Sequence, residues 1–235
     1  MQNILITGAN RGIGLELTRQ YLSRGAYVWG SYRELKNSQE LVALSKESEN
    51  LSIFPLDVSH PHSVANAFAT LKSQGVKIEL LFNNAGIIDW NNFQNVTPQA
   101  FDDVYRVNVT GAFSVIKHAQ EILHMGEGKR SRIINLSSRL GSIELRGNTQ
   151  LGGALAYQCS KAALNMLSKQ CAIDLSEKSI SVISMSPGWV KTDMGGSEAK
   201  YEVEESVTLI LRTLDKLDEH MTGIFIGEDG QEIPW

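Results

Sequence analysis

The chain has 235 residues, 42% of them hydrophobic and 20% charged, with 20 glycines and 5 prolines. That composition excludes disordered, collagenous and disulfide-stapled proteins and leaves an ordinary folded chain long enough for a sizeable core. Twenty-two basic against 26 acidic residues give a formal charge of -4, so no electrostatic footprint for nucleic acid or an anionic membrane is apparent.

Asn3–Thr7 is the first of seven short aliphatic or β-branched runs that read as buried strands. The others are Ala26–Tyr32, Leu51–Leu56, Ile78–Phe82, Arg132–Leu136, Ser181–Met185 and Ile224–Ile226. Between them lie stretches of helical period, such as Ile13-Leu17-Tyr21, Val64-Phe68-Leu71 and Leu164-Leu167-Cys171-Leu175. Strands alternating with helices predict βαβ crossovers and an α/β, doubly wound, mainly parallel sheet covered on both faces. Thr97-Pro98 predicts an N-cap followed by a proline at the first helical position, opening a long helical region to about Met125. With no linker, low-complexity tract or internal repeat, one domain over residues 1–235 is expected.

No apolar run approaches the ~20 residues of a membrane span, and Met1-Gln2-Asn3 leads straight into Ile4 with no charged leader. A cytoplasmic protein with no membrane partner is expected. Cys159 and Cys171 are too far apart for a C-x-x-C pair and too few for a disulfide framework, and read as reduced packing cysteines. The histidines show no metal-binding spacing, so no metal is expected. Asp102-Asp103 is placed in the first turn of its helix, where negative charge complements the macrodipole.

The chemistry gathers at one predicted sheet edge. After the first strand comes Thr7-Gly8-Ala9-Asn10-Arg11-Gly12-Ile13-Gly14. Its glycines permit a sharp turn and close approach to a pyrophosphate at a helix N-terminus, and no Lys-Ser or Lys-Thr follows as a P-loop requires. A purely structural turn is the alternative. Asp57-Val58, Asn83-Asn84-Ala85-Gly86, Ser137-Ser138 and Pro187-Gly188 follow later strands, which puts all of them at carboxyl ends, where doubly wound proteins bind ligands. Tyr157 and Lys161, four residues apart, share a face of a helix expected from about Ala154. There the ammonium would pull the phenol below its usual pKa near 10 and make it a general acid/base. An exposed, solvated helix face is the plain reading of that pair taken alone.

The Thr7–Gly14 turn, Asn83-Asn84-Ala85-Gly86, Asn108, Ser138, Tyr157-x-x-x-Lys161 and Pro187-Gly188 resemble, in order and spacing, the short-chain dehydrogenase/reductase family over nearly the whole chain. Leu136-Ser137-Ser138-Arg139-Leu140-Gly141, Pro187-Gly188-Trp189-Val190-Lys191-Thr192-Asp193 and the terminal Asp229-Gly230-x-x-Ile233-Pro234-Trp235 are similar to its C-factor and sniffer-type carbonyl reductases.

The resemblance implies a Rossmann-type domain carrying both cofactor and substrate sites, and an NADP(H)-dependent carbonyl or alcohol oxidoreductase. It makes Tyr157 the proton donor, Lys161 the holder of the ribose hydroxyls, Ser138 the carbonyl partner and Asn108 the support of a water chain. Gly8, Asn10, Arg11, Gly12, Ile13 and Gly14 would bind the cofactor phosphates. Asp57 and Val58 would meet the adenine, Asn84, Ala85 and Gly86 the ribose, and Pro187, Gly188, Val190 and Thr192 the nicotinamide. Family membership also implies a homodimer or homotetramer and a small-molecule carbonyl or alcohol substrate.

Ser138 and Tyr157 are further apart than in many members, with the extra residues in Glu144–Gly153, read as a longer active-site loop. In Trp29-Gly30-Ser31-Tyr32-Arg33 the acid that selects NAD is missing. Arg33 and Arg11 are therefore read as partners of the 2′-phosphate, against the plainer reading in which Arg33 pairs with neighbouring Glu34. The short segment from Gly195 to Lys200 predicts a small lid and an open pocket, with Trp90 and Trp189 either walling it or packing elsewhere. A cofactor-binding regulatory protein and a structural oligomerisation module are the other two readings of the chain.

Overall fold

The computed structural model describes residues 2–124, 130–147 and 153–235. Seven strands form one sheet: β1 (Asn3–Ile6), β2 (Tyr27–Tyr32), β3 (Leu51–Pro55), β4 (Leu80–Asn83), β5 (Ser131–Leu136), β6 (Ile180–Met185) and β7 (Ile224–Ile226). Every pairing is parallel and the order is β3-β2-β1-β4-β5-β6-β7. All seven predicted strands are present. Their ends are trimmed: Thr7, Ala26, Leu56, Ile78 and Glu79 fall outside them, and Ile78 bridges Leu123 ahead of β4.

The helices are α1 (Gly12–Ser23), α2 (Gln39–Glu47), α3 (Pro61–Ser73), α4 (Pro98–Tyr105), α5 (Ala112–Ala119), α6 (Leu155–Asp174) and α7 (Val203–Lys216). Two apolar layers follow from strands buried on both faces. Ile4, Ile6, Phe82, Ile134 and Ile183 pack with Leu17 and Tyr21 of α1 and Ile210 and Leu211 of α7. Leu5, Leu81, Ile133 and Val182 pack with Phe68 of α3, Val115 and Ile116 of α5 and Ala172 of α6.

The predicted long helix is corrected in two ways. Thr97 does cap it, its Oγ1 accepting from the Ala100 amide at 3.2 Å, but the α-helix gives way to a π-helical stretch at Arg106–Gly111 before resuming as α5. It also ends at Ala119, because the following turn is pulled beside β4: Ile78 N–H donates to Ile122 O at 2.9 Å and His124 N–H to Ile78 O at 2.8 Å. Met125 lies outside the described residues. Asp102 and Asp103 sit past the first turn of α4, so the helix-dipole explanation for them fails. Cys159 is exposed and does not pack, whereas Cys171 is half-buried against the α3/α5 layer.

The strand order reverses between β1 and β4, where chains leave in opposite directions and open a crevice. Thr7 ties its two sides together. Its hydroxyl donates to Phe82 O at 3.3 Å and accepts from the amides of Asn84 and Ala85, each at 3.1 Å. The Asn84 side chain donates back to Thr7 O at 2.8 Å and Gly8 O at 3.0 Å. Thr7→Val keeps the shape and strands two amide donors, so it should lower unfolding free energy by about 2–4 kcal/mol in urea with little change in slope. A loss below about 0.5 kcal/mol would show that this cross-link is dispensable.

Candidate active site

At the carboxyl end of β1 the chain turns through Gly8 and Gly12, both at positive φ, into α1, whose N-terminus has no side-chain cap. Gly14 cannot be replaced: a Cβ there would lie 2.2 Å from Gly8 O and 2.5 Å from Asn84 Nδ2. A bare backbone cradle leading into uncapped helix amides has the shape and polarity to take a pyrophosphate. Asn84 is thus a brace of this cradle as well as a neighbour of Ala85 and Gly86.

Beyond β3, Asp57 Oδ1 accepts from Ser59 N at 2.9 Å and from Ser59 Oγ, and its Oδ2 lies 3.1 Å from His60 Nδ1. Its pKa is lowered: burial, the largest influence, pushes upward, and the Ser59 hydrogen bonds and His60 together outweigh it. Val58 is fixed from behind, since Gly111 of the π-helical stretch approaches Val58 O so closely that a Cβ would lie 2.9 Å away.

The two arginines are exposed and already paired. Arg33 Nε lies 3.7 Å from Glu34 Oε1, and Arg11 Nη1 lies 2.9 Å from Asp193 Oδ2. Arg11 therefore reaches from the glycine turn to the segment after β6, and Asn10 Nδ2 donates to Asn37 O at 3.0 Å. Exposed pairs of this kind are weak and exchangeable.

Ser138, Tyr157, Lys161 and Asn108 converge between β5, α6 and the π-helical stretch. Ala154 caps α6 in the left-handed region, φ 55, so the helix starts one residue later than expected, and Tyr157 and Lys161 share its buried face. Ser138 lies close enough to the Tyr157 phenol to lower its pKa, and its Oγ accepts from Leu140 N at 3.1 Å. Ser137 faces away, donating to Asn165 Oδ1 at 2.6 Å. Lys161 Nζ donates to Leu136 O at 2.6 Å and lies 5.4 Å from the Tyr157 ring centroid. Asn108 Nδ2 donates to Ile87 O at 2.9 Å and Ser160 Oγ at 3.0 Å, while its Oδ1 accepts from Ile87 N.

The expected lowering of the Tyr157 pKa by Lys161 is not found. Burial pushes the phenol up to about 12, with only the Ser138 hydrogen bond pulling it back. The same burial brings Lys161 down to about 8, and its ammonium is spent on a backbone carbonyl.

After β6, Gly188 has φ +79, and a Cβ there would strike the Tyr201 ring at 2.8 Å. Pro187 O accepts from Ser206 Oγ at 2.7 Å, and Val190 is buried and bridges Tyr201. Thr192 Oγ1 accepts from Gly195 N at 3.0 Å, and Trp189 Nε1 donates to Gly195 O at 2.8 Å, so the short segment after β6 is folded on itself. Trp90 and Trp189 are about half-exposed. The predicted loop Glu144–Gly153 falls partly outside the described residues. Its start is held by the C-terminal segment, Ser142 Oγ donating to Pro234 O at 2.6 Å and Glu144 N to Trp235 O at 3.1 Å. Sequence reasoning missed these contacts, and also Ser160, Asn165, Ser186 and the buried Glu228. Their one sequence signal is polarity at positions that helical or strand period assigns to the core.

The shift of Lys161 has a consequence for stability. Its folded pKa lies below the unfolded value of 10.5, so between about pH 8 and 10.5 the unfolded chain binds more protons and stability rises with pH. Above pH 10 the unfolded tyrosine ionises while folded Tyr157 keeps its proton to about 12, and stability falls again. Lys161→Met should remove the rise and stabilise the protein at pH 7, measured by denaturant titration without added cofactor. A mutant that keeps the rise would locate its source elsewhere.

Residues 2–202 match the family model for short chain dehydrogenases. The structure superimposes on NADPH-bound carbonyl reductase from chicken fatty liver with a TM-score of 0.94 and 36% identity, covering 100% of this chain and 99% of that one. Carbonyl reductase Sniffer of D. melanogaster gives 0.91 and 35%, with both chains fully covered. C-signal of Myxococcus xanthus is 35% identical over 170 residues, 72% of this chain and 99% of its own. The seven-stranded parallel sheet, the crevice at its reversal point and these matches place the chain in the short-chain dehydrogenase/reductase family of oxidoreductases.

Proposed function

We propose that the protein is an NADP(H)-dependent carbonyl reductase acting on small aldehydes, ketones or quinones. The observation that carries this reading is the meeting of Ser138, Tyr157 and Lys161 around one buried phenol. NADP(H), when bound, supplies the hydride to the carbonyl carbon or takes it back from the alcohol. The glycine cradle and the α1 N-terminus hold its pyrophosphate, Asp57 and Val58 border the adenine, and Asn84, Ala85 and Gly86 border the ribose. Pro187, Gly188, Val190 and Thr192 hold the nicotinamide.

Tyr157, kept protonated by burial, donates its proton to the carbonyl oxygen while Ser138 hydrogen-bonds the same oxygen. Lys161 holds the ribose hydroxyls, and Asn108 supports the water chain by which Tyr157 regains its proton. A tyrosine protonated at neutral pH suits the reducing direction. The short, self-bonded segment after β6 favours an open pocket, shaped by Trp90 and the 144–153 loop, with broad substrate tolerance.

The likeness to C-signal supports a second reading, a cofactor-binding signalling protein with little turnover. The assembled group of Asn108, Ser138, Tyr157 and Lys161 favours turnover, because a sensor needs no general acid. A panel of aldehydes, ketones and quinones with NADPH, read by absorbance and fluorescence, separates the two: oxidation supports the reductase, and binding without oxidation supports the sensor. On a good substrate Tyr157→Phe should lower kcat by roughly 10²–10⁴-fold with cofactor affinity little changed, and Lys161→Ala should weaken both. Near wild-type turnover in Tyr157→Phe would remove the mechanism.

The chicken enzyme, described as NADPH-bound, also supports the cofactor preference, which falls to Arg33 and Arg11. A charge-assisted hydrogen bond is worth about 1.5–3 kcal/mol, so NADPH should be preferred over NADH by at least roughly tenfold. Arg33→Ala should lose most of that margin and leave NADH use nearly intact. Equal wild-type affinities, or a preference untouched by the mutation, would refute the assignment.

A further inference from the structure

Glu228, just beyond β7, is an acidic side chain with almost no access to solvent, 4% exposed. Its Oε2 is buried without a hydrogen-bond partner. Among the described residues its one ion-pair partner is Arg139, whose Nη2 lies 3.5 Å away. Arg139 immediately follows Ser138, at the carboxyl end of β5 two strands over. The guanidinium fills the space beside Gly227, where a Cβ would fall 2.4 Å from Arg139 Nη2 and 2.5 Å from Asp229 Oδ1. Glycine at 227 is what admits it.

The Glu228 carboxylate also lies beside the Pro187–Gly188 turn: a Cβ on Gly188 would lie 3.0 Å from Glu228 Cδ. Ser186 completes the set, its Oγ accepting from Arg139 N and from Gly188 N, each at 3.3 Å. The backbone of Glu228 is itself anchored, since its carbonyl accepts from Thr213 Oγ1 at 2.8 Å. Three strand-end turns therefore meet at this pair, in which the Glu228 carboxylate is buried while the Arg139 side chain is 40% exposed. Asp229 also contacts Arg139, at 3.3 Å, but is half-exposed. The exposed Asp229 carboxylate is screened by solvent, whereas the buried Glu228 carboxylate depends on the one cation beside it.

We propose that Glu228 is a positioning residue for the reaction. By pairing with Arg139 and lying against Gly188 it reinforces the link that Ser186 makes between the Ser138 turn and the Pro187–Gly188 turn, so that the carbonyl oxygen partner and the nicotinamide side of the site are held at one spacing. The proposal rests on the reductase reading for its kinetic consequence and on geometry alone for its structural one. Glu228 touches neither reacting group and acts only through the two turns. Misplacement of a reacting group by about 1 Å costs up to 10²-fold in rate, and groups at a site need support from behind.

Glu228→Gln keeps the side-chain shape and removes the charge, and Gly227→Ala displaces the guanidinium while leaving Glu228 in place, so the second serves if the first folds poorly. Both should lower kcat roughly tenfold or more, with the KM for NADPH changed less than threefold. In the alcohol-oxidation direction both should move the alkaline inflection of the pH–rate profile upward, as Ser138→Ala should, because a loosened Ser138 no longer steadies the ionised phenol. The charged groups around these turns are Arg139, Asp229, Lys161 and Lys200, and all are retained in both variants. At neutral pH, ¹⁵N amide resonances of Ser138, Arg139 and Gly188 should shift together in each variant while those of the β1–β3 half stay put. Unmoved amides at these three positions would overturn the proposal even if the wild type reduced no carbonyl, which would instead sink the reductase reading. A loss of rate accompanied by a lower melting temperature, with an unmoved pH profile, would also overturn it by leaving only a structural role.

Discussion

Lys161 is a cation with almost no access to water, and much of the surrounding architecture follows from keeping it there. A buried ammonium needs compensation, and it finds a backbone acceptor in Leu136 O, at the end of β5. To reach that carbonyl, α6 must lie almost on the turn that follows β5. A Cβ on Gly141 would be 2.7 Å from the backbone of Lys161, and one on Gly86 would be 3.3 Å from Asn108 Oδ1. The same closeness buries Tyr157 and sets its proton affinity. One side chain's desolvation thus dictates small residues on two turns and the protonation state of a third group.

Around this centre the polar groups form a connected layer beneath the carboxyl edge of the sheet. Asn83 Nδ2 donates to Asn135 Oδ1, Asn135 Nδ2 donates to Ser168 Oγ, and Ser168 returns its proton to Leu164 O. Beside it run the Ser137–Asn165 and Asn108–Ser160 bonds. Buried networks of this kind are rigid and specific, which suits a site whose parts come from distant stretches of chain, although Asn83 Oδ1 is left without a partner.

Much of this was legible in the sequence. Short aliphatic runs separated by helical periods define seven strands and their parallel arrangement, and the glycine turn, Asn84, Ser138 and Tyr157-x-x-x-Lys161 all fall on one edge. What was not legible depends on burial. Lys161 was expected to lower the Tyr157 pKa because spacing reveals proximity but not solvent access, and desolvation is the larger effect. The buried face of α6 carries Ser160, Lys161, Asn165 and Ser168, so an apolar stripe understates how deeply the helix is embedded. Likewise Arg11 and Arg33 were assigned by position, whereas their acidic partners, Asp193 and Glu34, emerge only from the folded arrangement.

The π-helical stretch at Arg106–Gly111 has a meaning for the phase of the long helix as well as for Asn108. A residue in a regular α-helix advances the side-chain direction by about 100°, and one extra residue accommodated in a wider turn resets every position that follows. Downstream, Ala112, Val115, Ile116 and Ala119 face the sheet, while Phe113 is exposed. Deleting any residue between 106 and 111 to restore a regular helix would rotate α5 by about a quarter turn, carrying Phe113 and Lys117 toward the core. The bulge that displays Asn108 is therefore also the register correction that lets two helical segments of different phase share one axis, which makes this segment intolerant of single-residue insertions and deletions.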